Sequence, residues 1–361
     1  MKKTGIVLLA LLLMFGLTAC SSGEKDDGKA DIVLITDLGT IDDKSFNQGS
    51  WEGVEQYTAE NKDVTAKYVR PLSGNDNEYY NTIVKAIEEM GAKVLVTPGY
   101  LFNNAIFRAQ ADYPDVHFIF VDSEPQKDDT SDPVVGENTV SLLYQEEQAG
   151  FLAGYSAVKE GFTKLGFIGG IPVPAVTKFG IGYLYGANHA AKELGIDNID
   201  VRWNYSMTFE PSQEVQQLAS GWYSSGTEAI FVAAGGAGDS VFKAAEDAET
   251  VSYGVDSDQQ GDSETVVASA VKQLQGSVRD ALKGHFEGNF PGGQTLVYDI
   301  AKDSVGLATD FTRFKNFDKA QYDAIYADLK ADKDGIASEI PTSHEGENPS
   351  FDLSNVTIVA N

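Results

Sequence analysis

The sequence predicts an α/β protein of two doubly wound lobes, joined by a hinge that the chain crosses three times. Three observations carry that prediction. From Asp31 onward, short β-rich apolar runs alternate with segments of helical period. Near-continuous apolar strands between helices belong to a parallel sheet covered on both faces. The 361 residues exceed the usual size of one compact domain. The same programme of elements also occurs twice along the chain.

In the first half, DIVLITD from Asp31 reads as a strand, SFNQGSWEGVEQYTAE as a helix, TAKYVRP as a strand and NEYYNTIVKAIEEMG as a helix. AKVLVTPG, FNNAIFRAQADYP and VHFIFVDS continue as strand, helix and strand. In the second half, KLGFIGGIPVP, TKFGIGYLYGANHAAKELG, DVRWNYS, PSQEVQQLASGWYSSG, EAIFVAAGG, DSVFKAAEDA and TVSYGVDS follow the same alternation. GAKVLVTPG from Gly91 matches GTEAIFVAAGG from Gly226, and each leads through a helix to VDS, at Val121 and Val255. Phe46 precedes Asp122 by 76 positions and Phe179 precedes Asp256 by 77. A period this long implies related lobes and not a solenoid.

The remainder, from Thr265, is too short and mixed for a third lobe. VVASAVKQL reads as strand then helix, QTLVYDIA and VGLATD as strands, and KAQYDAIYADLKADKDG as a helix. It is expected to complete both lobes, with crossings near Ser141, Ser269 and Leu307. The first lobe is then 31–141 plus 270–306 and the second 142–269 plus 307–361.

The N-terminus reads differently. Lys2 and Lys3 precede an apolar run from Ile6 to Leu17, followed by Thr18, Ala19, Cys20 and the polar run SSGEKDDGK. Residues 1–19 have the anatomy of a secretory signal, and the run is short for a membrane span. Its end resembles the lipobox of bacterial lipoproteins, in which the cysteine becomes the lipidated first residue. Cys20 is the chain's single cysteine, which excludes a disulfide framework. Residues 20–30 would form a lipidated linker holding the protein on the outer face of the cell membrane.

The formal charge is -27, and -29 once Lys2 and Lys3 leave with the signal. Acidic residues are scattered, which describes a solvated, self-repelling surface and not an acidic tail. Nucleic acid needs a basic footprint and is not an expected partner. A polyanionic ligand would also meet an unfavourable field.

Ligands of such sheets sit at the carboxyl ends of the strands. There, Asp37 closes the first strand and Phe46 opens the first helix. Ser45 and Gln48 have the spacing of a capping box. Trp51, Val54 and Tyr57 share roughly one helical face, toward the sheet. Asp42 and Asp43 suit the helix dipole. If the lobes face each other, Phe46 and Phe179 approach one gap, as do Asp122 and Asp256. Two aromatic faces can sandwich a flat ring while carboxylates accept from hydroxyls or ring N–H groups. Phe209, after the strand WNYSMT, is a rival for the second face. Gly99, Gly235 and Gly236 end equivalent strands, where glycine admits close backbone approach.

Enzyme readings find little support. His117, His189, His285 and His344 lack paired metal spacing, the mature fold has no free thiol, and no GxSxG elbow occurs. No metal or other cofactor is expected.

The combination of a lipobox with TDLGTIDDKSFNQGSWEG, TPG, FVD, AAGGAG, GVDSDQ and SAVK, in that order, resembles the basic membrane protein family of solute-binding lipoproteins, the PnrA-like nucleoside receptors of ABC importers. The resemblance implies a two-lobed, type I periplasmic-binding fold that closes over a nucleoside, purine nucleosides above all, and hands it to an ABC permease. It further implies that Phe46 stacks on the base with Phe209 or Phe179 opposite, and that Asp37 bonds the base with Asn47 and Asp122 nearby. Asp256 would accept from the ribose, Lys272 would fix that carboxylate or the sugar, and Gly235 would give backbone contact. A monomer is expected. The alternatives are a receptor for a sugar or another small polar metabolite, and a surface glycoside or nucleoside hydrolase using paired aspartates.

Overall fold

The computed structural model describes residues 28–346 and 348–359. The signal segment, Cys20 and the linker as far as residue 27 lie outside the described residues.

The first lobe is built from β1 (Ile32–Ile35), α1 (Phe46–Glu60), β2 (Ala66–Val69), α2 (Asp76–Glu88), β3 (Val94–Pro98), α3 (Asn103–Asp112), β4 (His117–Val121) and β5 (Thr139–Tyr144). The chain then enters the second lobe through α4 (Glu146–Glu160), β6 (Lys164–Gly169), α5 (Pro174–Leu194), β7 (Ile199–Tyr205), α6 (Gln213–Ser224), β8 (Ala229–Ala233), α7 (Gly238–Asp247), β9 (Val251–Asp256) and β10 (Val266–Lys272). It returns to the first lobe for α8 (Leu274–Phe286) and β11 (Gln294–Tyr298). The second lobe is completed by β12 (Val305–Ala308), α9 (Lys319–Lys330) and β13 (Val356–Val359).

The two sheets repeat one another. Their strand orders are β11-β5-β4-β3-β1-β2 and β12-β10-β9-β8-β6-β7-β13. The run β2-β1-β3-β4-β5 therefore corresponds to β7-β6-β8-β9-β10, strand for strand and all parallel. The copies differ at both edges: β11 joins β5 in parallel whereas β12 joins β10 antiparallel, and β13 adds a parallel strand beside β7 where β2 is the edge of its sheet. The central strands are apolar because helices cover both faces: every residue of β1, β3 and β8 is buried. Each Val, Leu or Ile withdrawn fully from water contributes about 1.5–3 kcal/mol.

The lobe crossings fall at Gln145, Gln273 and 299–304, between strands of one sheet and elements of the other. Ser141 and Ser269, where crossings are expected from sequence, lie inside β5 and β10, and Leu307 lies inside β12. An apolar strand shows where it runs but not which sheet it joins, so the boundaries slip by a few residues. The crossings are stitched together: Gln145 N donates to the Tyr298 carbonyl at 3.0 Å, Gln273 N to that of Ser304 at 2.9 Å, and Ile300 N to Gln148 Oε1 at 2.8 Å.

Periodicity marks no element between 124 and 163, yet β5 and α4 fill much of it. The reason is burial on nearly every face of α4, which leaves little amphipathic contrast to read. Its glycines let it touch α5 backbone to backbone. A Cβ on Gly150 would lie 2.1 Å from the Phe179 carbonyl oxygen, so this position excludes any larger residue and fixes where Phe179 stands.

Candidate functional site

Six site residues project from the carboxyl ends of parallel strands: Asp37 after β1, Gly99 after β3, Asp122 after β4, Gly235 after β8, Asp256 on β9 and Lys272 on β10. The lobes face each other across these ends, and the cleft between them encloses about 630 Å³, its mouth included. Asp37, Phe46, Asn47, Asp122, Phe179, Phe209, Gly235, Asp256 and Lys272 all line it. Asp43, Gly99, Tyr100, Leu101, Val173, Ala175, Val176, Ala233 and Val255 complete the wall.

The turn before α1 is organised by Asp43, not by Ser45. Asp43 accepts from the backbone N–H groups of Ser45, Asn47 and Gln48 at 2.9, 3.0 and 3.0 Å. It thereby satisfies donors that every helix N-terminus leaves open. The expected capping box is absent: Ser45 makes no side-chain cap bond, and Gln48 Oε1 accepts from Lys44 N instead. The Ser45 hydroxyl is used elsewhere, donating to Asp256 Oδ2 in the opposite lobe at 2.6 Å.

Asn47 is spent within the protein. Its Nδ2 donates to Asp37 Oδ1 and to Asp43 Oδ2, both at 2.9 Å, and its Oδ1 accepts from Asp37 N at 3.3 Å. Asp37 Oδ1 also accepts from Gly39 N at 2.7 Å. Burial pushes both carboxyls up, Asp43 to about 6, against the pull of these hydrogen bonds.

At the back of the cleft a buried ammonium gathers carboxylates from both lobes. The Lys272 side chain is 1% exposed; its Nζ bonds Asp122 Oδ2 and lies 3.4 Å from Asp256 Oδ1 and 3.5 Å from Glu146 Oε1. The rings of Phe46, Tyr144 and Phe179 stand 4.7, 5.3 and 5.5 Å from it. Burial opposes its charge, but the three carboxylates prevail and hold Lys272 above its ordinary value. Asp122 is pushed to about 7 by burial, against the attraction of Lys272. Its Oδ1 is buried without a hydrogen-bond partner. Asp122 and Asp256 both have φ of 65°, a left-handed conformation in which aspartate is among the tolerated residues, so the two VDS turns match in geometry as well as in letters.

The three candidate aromatics differ in exposure. Phe179 is 2% exposed and packs edge-on against Phe231 with centroids 6.1 Å apart. Phe46 and Phe209 are half-buried. The ring of Phe209 rests on Gly170, just after β6, where a Cβ would come within 2.3 Å of it.

The lobes are closed on one another. Besides Ser45 and Asp256, Lys44 Nζ reaches Asp239 at 3.1 Å, Gln259 Nε2 donates to the Lys44 carbonyl at 3.0 Å, and Arg70 pairs with Glu210. Glu146, Lys178 and the capping role of Asp43 escape the sequence reading. Asp43 could have been found from its place three residues before the helix; Glu146 lies on a helix buried on nearly every face and carries no periodic signal, and half-buried Lys178 meets it from 32 positions away. Among the described residues no group of three or more His, Cys, Asp or Glu is placed to hold a metal ion, and no helix is long and apolar enough to cross a membrane.

Comparison with known proteins agrees with this architecture. Residues 30–342 match the family described as ABC transporter substrate-binding protein PnrA-like. The ABC transporter nucleoside-binding protein BmpA of Lactococcus lactis is 30% identical over 342 residues, covering 86% of this chain and 92% of that protein. Basic membrane protein D of Borreliella burgdorferi is 30% identical over 323 residues, covering 87% and 88%. A solved solute-binding protein of an ABC transporter system from Aeropyrum pernix superposes with a TM-score of 0.70 at 21% identity, over 86% of this chain and 82% of that one, and supports the two-lobed type I fold. The lobes, the closed interlobe cleft and a match over nearly the whole described chain lead to one conclusion: the protein belongs to the Bmp family of PnrA-like substrate-binding proteins of ABC transporters, which are solute receptors and not enzymes.

Proposed function

We propose that the protein captures a nucleoside, a purine nucleoside in preference, and delivers it to an ABC permease while anchored to the outer face of the membrane through a lipid on Cys20. The observation that carries this reading is the pairing of two half-buried aromatic rings, Phe46 from one lobe and Phe209 from the other, in a cleft that also holds buried carboxylates. Flat rings bind between such faces, and carboxylates orient them by accepting from N–H and O–H groups. Phe209 suits the second stacking face better than Phe179, which is already committed to the core around Phe231.

In this reading Asp37 accepts from a base N–H through Oδ2, since its Oδ1 is taken by Gly39 and Asn47. Asn47 contributes by holding Asp37 and not by touching the base. Asp122 and Asp256 accept from the ribose hydroxyls, with Lys272 between them, and Gly235 lets the backbone approach beside Phe209. The formal charge of -27 and the carboxylates in the cleft favour a neutral nucleoside over a nucleotide. The name of the Lactococcus relative, a nucleoside-binding protein, points the same way. A mass spectrum of small molecules released by denaturing the purified protein tests the assignment. A purine nucleoside is expected; a free sugar in its place would overturn it.

A further inference from the structure

Behind the cleft lies a second layer of charge that the ligand reading does not use. Glu146 is the first residue of α4, directly after the first crossing, and its side chain is 1% exposed. Its Oε2 accepts from Lys178 Nζ at 3.1 Å while its Oε1 faces Lys272 at 3.5 Å. Lys178 Nζ also donates to the carbonyl of Tyr144, the last residue of β5, at 3.0 Å. Lys178 immediately precedes Phe179 on α5. Neither Glu146 nor Lys178 lines the cleft. The pair therefore bridges the final strand residue of the first lobe, the first helix of the second, and the lysine between the two cleft aspartates.

We propose that Glu146, held by Lys178, is a positioning residue for ligand capture: it centres the Lys272 ammonium between Asp122 and Asp256 and ties that ammonium to the first hinge crossing. This deepens, and rests on, the reading of the cleft as a nucleoside site. Two features favour a positioning role over a merely structural one. A buried ion pair contributes little net stability compared with apolar packing, so its location at the hinge carries more meaning than its presence. Lys272 also takes one partner from each lobe, Asp122 from the first and Asp256 from the second. Lobe opening that separates Asp122 from Lys272 leaves the ammonium to Glu146 and Asp256, and closure restores the bridge.

The charged and titratable groups facing Asp122 are Lys272 on β10, Asp256 on β9, Glu146 on α4, Lys178 on α5 and Tyr144 on β5. Glu146 raises the Asp122 midpoint and Lys178 lowers it by reciprocity with its own shift. The test follows the carboxyl carbon of Asp122 by NMR in the ligand-free protein labelled at aspartate, across pH 5 to 9, in unmodified, Glu146→Gln and Lys178→Met forms. The expected result is a midpoint displaced downward by Glu146→Gln and upward by Lys178→Met, with Glu146→Asp returning toward the unmodified value. Inosine affinity falls roughly tenfold in the first two, the low end of the loss seen when a group that orients a metal-binding residue from behind is removed. A midpoint or an inosine affinity unchanged in the folded variants overturns the proposal; if one variant does not fold, the other decides alone. Failure of the unmodified protein to bind inosine would instead refute the nucleoside reading, because the carboxyl titration needs no ligand.

Discussion

Ser45 of the first lobe donates its hydroxyl to Asp256 of the second, Oγ to Oδ2 at 2.6 Å, directly across the ligand cleft. The bond joins the two lobes and neither group is solvent-exposed, so lobe opening would break it and it belongs to the energetics of closure more than to those of folding either lobe. Ser45→Ala should weaken ligand binding by about 1.5 kcal/mol, roughly tenfold, the scale of a hydrogen bond to a charged group. Calorimetric titration measures the loss. The melting temperature of the ligand-free protein should hardly change, and a large drop would show that the bond stabilises the lobe instead.

The aromatic residues should separate by role. Phe46→Ala and Phe209→Ala are expected to cost about 1–3 kcal/mol of ligand affinity, the range for base stacking on protein aromatics, with little loss of stability. Phe179→Ala should instead destabilise the fold by about 3–5 kcal/mol, because it empties a buried site against Phe231. Denaturant melts beside calorimetry distinguish the two classes. Unchanged affinity in Phe46→Ala would contradict the stacking arrangement.

Asn47→Ala removes the amide that joins Asp37 to Asp43. Two buried carboxyls then lose a donor each, and an unsatisfied buried polar group costs about 1–3 kcal/mol. The predicted outcome is at least a tenfold loss of affinity together with lower thermal stability that is partly recovered at acid pH, where the carboxyls are neutral. Equal losses at pH 5 and pH 8 would rule this mechanism out.

The buried carboxyls also set the pH dependence of folding. Burial raises Asp37, raises Asp43 to about 6, and raises Asp122 and Glu147 to about 7. A carboxyl raised in the folded state contributes fully below its unfolded pKa, and that contribution is lost as pH rises through the folded pKa. Asp31, Glu193 and Glu146 behave oppositely: burial raises each, but it is outweighed by Lys93 and Thr65 together at Asp31, by Lys159 and Tyr155 at Glu193 and by Lys178 and Lys272 at Glu146, and their window lies below the ordinary carboxylate value. Stability of the ligand-free protein should therefore fall from about pH 5 to pH 8, and the growing negative charge acts in the same direction. Thermal melts across this range check the sign.

Much of this arrangement is legible in the sequence because it follows from strand ends. Apolar strands locate Asp37, Asp122, Asp256 and Lys272 at the mouths of two sheets, and the repeated VDS pairs two of them. What the sequence does not show depends on contacts between distant segments. The near-equal spacing of Phe46 and Phe179 from their aspartates suggests equivalent rings, yet Phe179 is packed beside Gly150 and only 2% exposed, whereas Phe209 is half-buried in the cleft wall. Local spacing assigns Ser45 to a helix cap, but its partner lies 211 positions away. Glu146 sits on a helix buried on nearly every face, where no pattern separates a functional carboxylate from its neighbours.

Isothermal titration of the protein with inosine, set against ribose and inosine monophosphate under the same conditions, tests the central claim most directly. Stacking between Phe46 and Phe209 together with acceptance by Asp37, Asp122 and Asp256 predicts that inosine binds far more tightly than ribose, which lacks the base, and than the monophosphate, which brings charge into an acidic cleft. Binding of ribose or of the monophosphate as tight as that of inosine would contradict it.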